Sequence, residues 1–244
     1  MGFLSEKVIL VTGGAHRVGK AITLALAGEG AHLAITYHAS REQAQQTVEQ
    51  VSALGVRCRA YGCDQRDPSQ IVETVQAVVE EFGRLDGLVN NASVMSETSF
   101  MQLTPEIWDE TFNTNTRGPF FFSQACATVM QLTGGGVIIN LLDESAQVPT
   151  KYYMAHGASK AALRMLTLSM ALELAPLIRV NAVLPGPVLM PPDADPERWQ
   201  RLENRIPLKR QGNPEDVTRA VLYLMKEDYI TGHVLVVDGG KSIK

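Results

Sequence analysis

The stretch Lys7-Val8-Ile9-Leu10-Val11-Thr12-Gly13-Gly14-Ala15-His16-Arg17-Val18-Gly19 decides how this chain is read. An apolar, β-branched run breaks into glycine and then flows into Lys20-Ala21-Ile22-Thr23-Leu24-Ala25-Leu26-Ala27, which patterns as a helix. At a strand, glycine turn and helix in that order, the unpaired N–H groups of the first helical turn and the positive end of the helix dipole face one point. Glycine there lets a pyrophosphate come close to the main chain. The spacing is Thr-Gly-x-x-x-Arg-x-Gly rather than G-x-G-x-x-G, so the turn taken alone also reads as an ordinary tight connection. A dinucleotide site at the head of the chain is the expectation the rest of the sequence has to support.

Working outward, apolar strand-like runs recur at 32–37, 57–62, 85–90, 137–142, 179–184 and 234–237, separated by helix-patterned stretches. Several are apolar throughout rather than alternating, as expected of parallel strands covered on both faces. The predicted fold is α/β, a doubly wound seven-stranded parallel sheet with helices on both faces. The length of 244 residues, 45% hydrophobic, suits one domain over residues 1–244 with a sizeable core. The only Pro-rich irregular stretch, from Pro185-Gly186-Pro187 to Pro196, is a candidate loop over the C-terminal edge of the sheet.

Composition excludes several classes of partner. A net charge of -4 without a long basic run argues against nucleic acid or an anionic membrane, and no apolar stretch approaches the roughly 20 residues of a bilayer span. The first strand starts so close to Met1 that a cleavable leader is not expected, which makes a cytoplasmic location the expectation. Cys58, Cys63 and Cys126 lack C-x-x-C spacing and read as packing residues. The histidines His16, His32, His38, His156 and His233 show no i, i+4 pair, so no metal is expected.

In such sheets the residues that close each strand meet the ligand. The second strand ends Thr36-Tyr37-His38-Ala39-Ser40-Arg41, with no carboxylate to hold a ribose 2′-hydroxyl. His38, Ser40 and Arg41, with Arg17 from the first loop, instead offer hydrogen bonds and positive charge to a 2′-phosphate, which favours NADP over NAD. The competing reading is that Ser40 caps the next helix and Arg41 is simply solvated. The third strand ends at Asp64, whose carboxylate suits an adenine amino group. The fourth ends Asn90-Asn91-Ala92-Ser93, where small and amide side chains leave room beside a flat ring.

Thr12-Gly13, Gly19, Asp64, Asn90-Asn91-Ala92, Asn115, Ala158-Ser159-Lys160, Asn181-Ala182-Val183, Pro185-Gly186 and Val237-Asp238-Gly239-Gly240 together resemble the short-chain dehydrogenase/reductase family, collinear from Lys7 to about Gly240. The resemblance implies a Rossmann-type sheet and nicotinamide-dependent hydride transfer. Its implied cofactor contacts are Gly13, His16, Arg17, Val18, Gly19, Tyr37, His38, Ser40, Arg41, Asp64, Asn91, Ala92, Lys160, Pro185, Gly186 and Val188. Three departures resemble the pteridine reductase branch: Arg17 replaces the family's middle glycine, Ser93 replaces the glycine after Asn-Asn-Ala, and Asp143 stands at the usual catalytic serine. They imply that Arg17, Ser93 and Asp143 face a pterin. Met95, Met190 and Trp199 are candidate apolar lining of the substrate pocket, with ordinary packing as the alternative. The segment Asp195-Pro196-Glu197-Arg198-Trp199 starts like a capped helix and is a candidate lid.

The sharpest departure is His156, because the family's Tyr-x-x-x-Lys is here His156-Gly157-Ala158-Ser159-Lys160. Positions i and i+4 share a helix face, so residue 156 still stands beside Lys160. A nearby ammonium would disfavour a charged imidazole and leave His156 a poor acid. Two rescues are expected: Tyr153, three residues earlier, reaching the site, or Asp143 supplying the proton with its pKa raised by burial and negative charge. Asn115 matches the family asparagine that completes the proton relay, its alternative being a helix-interior hydrogen bond. The long helix running from Lys160 to Ala175 and the C-terminal strand imply, by resemblance, the interfaces of a homotetramer.

The sequence thus reads as an NADPH-dependent reductase passing hydride to a C=N of a pterin or dihydrofolate-like small molecule. Two other readings stay open: a noncatalytic or impaired NADP-binding homologue that has lost its tyrosine, and a reductase of a simple ketone or acyl thioester.

Overall fold

Residues Val8–Val11 form the first strand, β1, and all four are buried. Side chains alternate across a strand, and the two faces are covered separately. Val8 and Leu10 pack with Ile71, Val75, Val78, Phe122 and Ile138, whereas Ile9 and Val11 pack with Ile22, Leu26, Leu33, Ile35 and Leu224. This double cover is why the run is apolar throughout instead of alternating.

The computed structural model describes residues 2–190 and 196–243. Among them, six further strands follow: β2 (His32–Tyr37), β3 (Cys58–Gly62), β4 (Gly87–Asn90), β5 (Gly136–Leu141), β6 (Ile178–Pro185) and β7 (Val234–Val237). The helices are α1 (Arg17–Gly28), α2 (Arg41–Ser52), α3 (Pro68–Phe82), α4 (Pro105–Phe112), α5 (Gly118–Leu132), α6 (Met154–Leu174), α7 (Pro196–Arg205) and α8 (Pro214–Lys226). The sheet order is β3-β2-β1-β4-β5-β6-β7, with every neighbouring pair parallel. The seven-stranded parallel sheet predicted from the apolar runs is the one observed, with helices packed on both faces.

The order reverses between β1 and β4, because the chain leaves β3 and crosses to the other side of β1. Loops leaving β1 and β4 therefore diverge and open a crevice at the C-terminal edge. A small third core of Leu142, Ala146, Leu163, Ala182 and Leu184 lies under that edge and fixes the segment after β5 against α6. Between α4 and α5, residues Asn113–Arg117 form a π-helical turn, a widening that often marks functional positions in helices. Cys58, Cys63 and Cys126 are all free and buried, and burial pushes the Cys58 thiol up to about 12, in keeping with packing roles.

Candidate active site

The turn after β1 is held by its neighbours. Gly13 N donates to Thr36 Oγ1 at 3.1 Å, and the Asn91 side chain donates to the carbonyls of Thr12 and Gly13 at 3.0 and 3.1 Å. Gly13 sits at φ +61, where a side chain is strained, and a Cβ on Gly19 would lie 2.1 Å from the Gly13 carbonyl oxygen. Glycine at these two positions brings the first turn of α1 against the end of β1. The side chain of His16, the residue before α1, makes no capping hydrogen bond, so the first-turn N–H groups stay open to an anion. Arg17 takes a left-handed φ of 52, which explains why a glycine suits this position. Its guanidinium lies 3.4 Å from the carbonyl oxygens of both Leu189 and Met190.

From this turn a cleft of about 490 Å³ runs along the sheet edge, lined by Gly13, His16, Arg17, Val18, Gly19, Tyr37, His38, Ser40, Asp64, Asn91, Ala92 and Ser93 among others. These are predicted cofactor or substrate positions, and the structure brings them together. An open helix N-terminus for pyrophosphate and a polar pocket beyond β2 and β3 for a nucleoside are a donor set that fits a dinucleotide. Ser40 precedes α2 but makes no side-chain cap, so it faces the cleft as a donor rather than serving the helix. Arg41 does not join it: as the first residue of α2 it is exposed and is not among the lining residues. The cation that lines this end is Arg66, which the sequence reading passed over. Its guanidinium grips Asp64 with Nη2 to Oδ2 at 2.7 Å and Nε to Oδ1 at 2.9 Å, and His38 Nε2 lies 3.8 Å from the same carboxylate. The Arg66 hydrogen bonds hold the Asp64 carboxyl below the usual carboxylate range. The signal was a basic residue two places past the strand-ending acid.

Beyond Ser93 and Val94 stands the reactive cluster. Asp143 follows β5 and its Oδ1 accepts from Ser145 N at 2.8 Å and from the Ser145 hydroxyl. Its Oδ2 meets His156 Nε2 directly. His156 is 3% exposed on its side chain, against 27% for Asp143. The other imidazole nitrogen, Nδ1, lies 3.0 Å from the Val94 carbonyl oxygen and 3.2 Å from Asn115 Nδ2. Asn115 is oriented by Val94 N, which donates to its Oδ1 at 2.9 Å. Its Nδ2 then donates to Val94 O at 2.8 Å and to Ser159 Oγ at 3.1 Å, which uses both of its hydrogens. His156 Nδ1 is therefore a donor to Val94 O.

Three expectations are corrected by this arrangement. Burial raises the Asp143 pKa, but the hydrogen bond and charge of His156, with Lys160 and Ser145, outweigh it and hold the carboxyl at about 2. These neighbours lower the Asp143 pKa, whereas an Asp143 that holds its own proton at neutral pH needs neighbours that raise it. Lys160 is not the only charged group set beside His156, because the carboxylate of Asp143 meets the imidazole. Lys160 Nζ donates to Leu141 O at 2.8 Å, and burial lowers its pKa against the pull of Asp143. Tyr153 precedes the first turn of α6 with φ -121 and ψ 35, and its hydroxyl donates to Glu97 Oε2 at 2.8 Å, so its phenol proton is directed at Glu97 rather than at His156 or Asp143.

Asn115 is buried in the π-helical turn and clamps the loop after β4 to α6, rather than making a bond inside its own helix. Ser93 Oγ donates to Asn115 Oδ1 at 3.0 Å. Pro185 ends β6, Gly186 and Val188 follow it, and none of the three is among the cleft-lining residues, Gly186 N being taken by Val237 O at 3.0 Å. Met95 and Met190 are 58% and 41% exposed, so neither lines a closed pocket here. Trp199 lies on α7, where its indole N–H bonds to Gln211 Oε1, and it too is absent from the cleft lining. The helix expected after Asp195 is present as α7, and Asp195 itself lies outside the described residues. Among the described residues there is no group of His, Cys, Asp and Glu arranged to hold a metal, and no helix long and apolar enough to cross a membrane.

Comparison with known proteins adds an independent line. A family model described as enoyl-(acyl carrier protein) reductase matches residues 13–242. The chain is 36% identical over 251 residues to an L-rhamnose 1-dehydrogenase (NAD(P)(+)) from a Sphingomonas species, covering 100% of this chain and 99% of that relative. It is also 36% identical to a 3-oxoacyl-(acyl-carrier-protein) reductase from Thermotoga maritima, covering 98% of this chain and 99% of that one. Among solved structures, a short-chain dehydrogenase/reductase from Serratia marcescens superposes with a TM-score of 0.92 at 38% identity, covering 98% of this chain and 99% of the other.

Proposed function

This chain belongs to the short-chain dehydrogenase/reductase family, and we propose that it is an NADPH-dependent reductase in which the Asp143–His156 pair supplies the proton that accompanies hydride transfer. The observation that carries the reading is the direct contact of His156 Nε2 with Asp143 Oδ2 beside the inner end of the cleft. A carboxylate held at about 2 is a poor base near neutral pH, whereas the proton shared in this contact can pass to a substrate atom that turns strongly basic as hydride arrives. The pair thus favours reduction over oxidation.

NADPH is assigned because the residues ending β2 include no carboxylate, while Ser40, His38 and Arg66 line the cleft where a ribose 2′-substituent would lie. The bound nicotinamide would supply hydride. The protein's part is to hold the pyrophosphate at the open N-terminus of α1, with Lys160 at the nicotinamide ribose by family resemblance.

For the substrate we propose a pterin or dihydrofolate-like C=N. Both lone pairs of Asp143 Oδ1 are used by Ser145, and Oδ2 keeps one beyond its bond to His156, so the group offered to a ligand is an acceptor. Dihydropterins carry N–H donors around the reducible bond. Reduction of a carbonyl is the second reading, favoured by relatives named for rhamnose oxidation and 3-oxoacyl reduction. A hydroxyl-rich sugar suits the acceptor better than an acyl thioester. The test is NADPH oxidation with dihydrobiopterin and dihydrofolate, alongside L-rhamnose with NADP and a 3-oxoacyl thioester with NADPH. Turnover with a dihydropterin is expected. Turnover confined to the others installs the carbonyl reading, and tight NADPH binding without any turnover makes the chain a noncatalytic binder.

We also propose a cytoplasmic homotetramer assembled through α5, α6 and the free edge of β7. Leu132, Met165 and Leu172 are exposed on those helices, and β7 ends the sheet with Val236 exposed. Light scattering of the purified chain at about four times the monomer mass is the expected result.

A further inference from the structure

We infer that Asp143, not His156, is the group that touches the substrate, and that His156 is a positioning residue which stores a proton behind the carboxylate and releases it through Oδ2. This rests on the reductase reading above and specifies how that site works. Position 156 alone suggests the opposite, an imidazole acting directly as the acid.

The geometry argues for inversion. His156 is buried on α6, and each ring nitrogen already has a partner inside the protein: Nε2 meets Asp143, and Nδ1 donates to the Val94 carbonyl at 3.0 Å. An imidazole so held presents no nitrogen to a ligand. Asp143 is the more exposed member and keeps the pair's last unused lone pair on Oδ2. With Nδ1 protonated toward Val94, one further proton lies between Nε2 and Oδ2, and the pair as a whole is neutral.

The charged groups around the pair favour this sharing. Lys160, from the same helix, is held by Leu141 O. Glu144, next to Asp143, is matched by Lys241. Glu97, on the loop after β4, accepts from Tyr153. No second carboxylate is recorded in contact with the imidazole among the described residues, so Asp143 is its counter-ion.

The step balances with NADPH as the reductant. Hydride reaches the substrate carbon as the C=N or C=O π pair moves onto nitrogen or oxygen. That atom takes up the one shared proton, which passes from Nε2 to Oδ2 and from Oδ2 onward, leaving Asp143 as the carboxylate. His156 is left neutral with Nδ1 still protonated, and the exposed edge of Asp143 takes up a proton from solvent to restore the pair.

Two measurements test this. In protein with 15N-labelled histidine, free of cofactor at neutral pH, the ring signals assigned by their loss in His156→Gln are expected to show both nitrogens protonated. In Asp143→Asn only Nδ1 should keep its proton. A wild-type His156 with either nitrogen bare overturns the inference. In turnover, His156→Tyr alone and Asp143→Ser alone are each expected to lower kcat about 100-fold. The double variant, which joins a hydroxyl at 143 to a phenol at 156, should return to within about tenfold of wild type. NADPH affinity within about threefold of wild type shows that each variant has kept its fold. His156→Tyr alone matching or exceeding wild type overturns the inference, because residue 156 would then reach the substrate by itself. A wild-type chain that shows no NADPH oxidation whichever substrate is offered defeats the functional reading instead, and the nitrogen signals still decide the state of the pair.

Discussion

At the glycine turn the working groups are backbone N–H donors left uncovered because His16 does not cap α1, whereas at the other end of the site both ring nitrogens of His156 are already covered. The first region functions by what it leaves open, and its specificity comes from where glycine lets main chain approach. The second functions by closure, since a shared proton is held only where both ring nitrogens are tied down. The cofactor end should therefore tolerate side-chain change and be intolerant of an added Cβ, while the proton end should be the reverse.

The largest effect is expected where that rule is broken with one carbon. Gly19→Ala puts a Cβ 2.1 Å from the Gly13 carbonyl oxygen. It should cost about 3 kcal/mol, lower Tm by about 6–12 °C for a chain of this size, and abolish the thermal shift given by NADPH. Melting with and without NADPH checks this.

Next comes Asp143→Asn. The folded Asp143 pKa of about 2 lies below that of an unfolded aspartate, so its stabilisation is present above about pH 4 and lost as pH falls through about 2. Urea unfolding should find the variant about 2 kcal/mol less stable at neutral pH, with the difference closing at low pH. A gap that does not change with pH removes the closed-pair half of the comparison.

A smaller effect sharpens the open half. Ser40→Ala with Arg66→Ala should weaken NADPH binding about tenfold, or about 1.4 kcal/mol, and leave NADH nearly unchanged. Arg41→Ala should alter neither. Fluorescence titration of both cofactors gives the ratio.

The smallest is Arg17→Gly, which relieves a left-handed φ of 52. Stability should rise by about 1 kcal/mol, or about 2–4 °C in Tm, as the contacts to Leu189 and Met190 are lost. Calorimetry checks the sign.

The strands were legible because burial on both faces writes itself as unbroken apolar runs, and observed bounds such as His32–Tyr37 coincide with them. The glycine turn was legible for a similar reason: close backbone approach admits one residue type. The proton end was not. Its decisive contacts join Asp143, after a strand, to His156, inside a helix, and helical periodicity says nothing about where a ring nitrogen points across that gap. The hydroxyl of Tyr153 goes to Glu97, on the loop after β4, a partner that helical spacing does not show. The π-helical turn at Asn113–Arg117 escaped a 3.6-residue reading, so Asn115 was placed on a helix without the clamp it makes. Arg66 stands two places past Asp64, a spacing that marks a candidate partner but not the fold-back that brings its guanidinium onto the carboxylate.

The mutual dependence of Asp143 and His156 also constrains how this chain can have changed over time. Neither residue has its present chemistry without the other: a lone histidine at 156 lacks its counter-charge, and a lone aspartate at 143 lacks its proton source. On the proposed pairing, a change at either position alone costs more activity than the paired change to serine and tyrosine, so the two positions act as one unit of substitution.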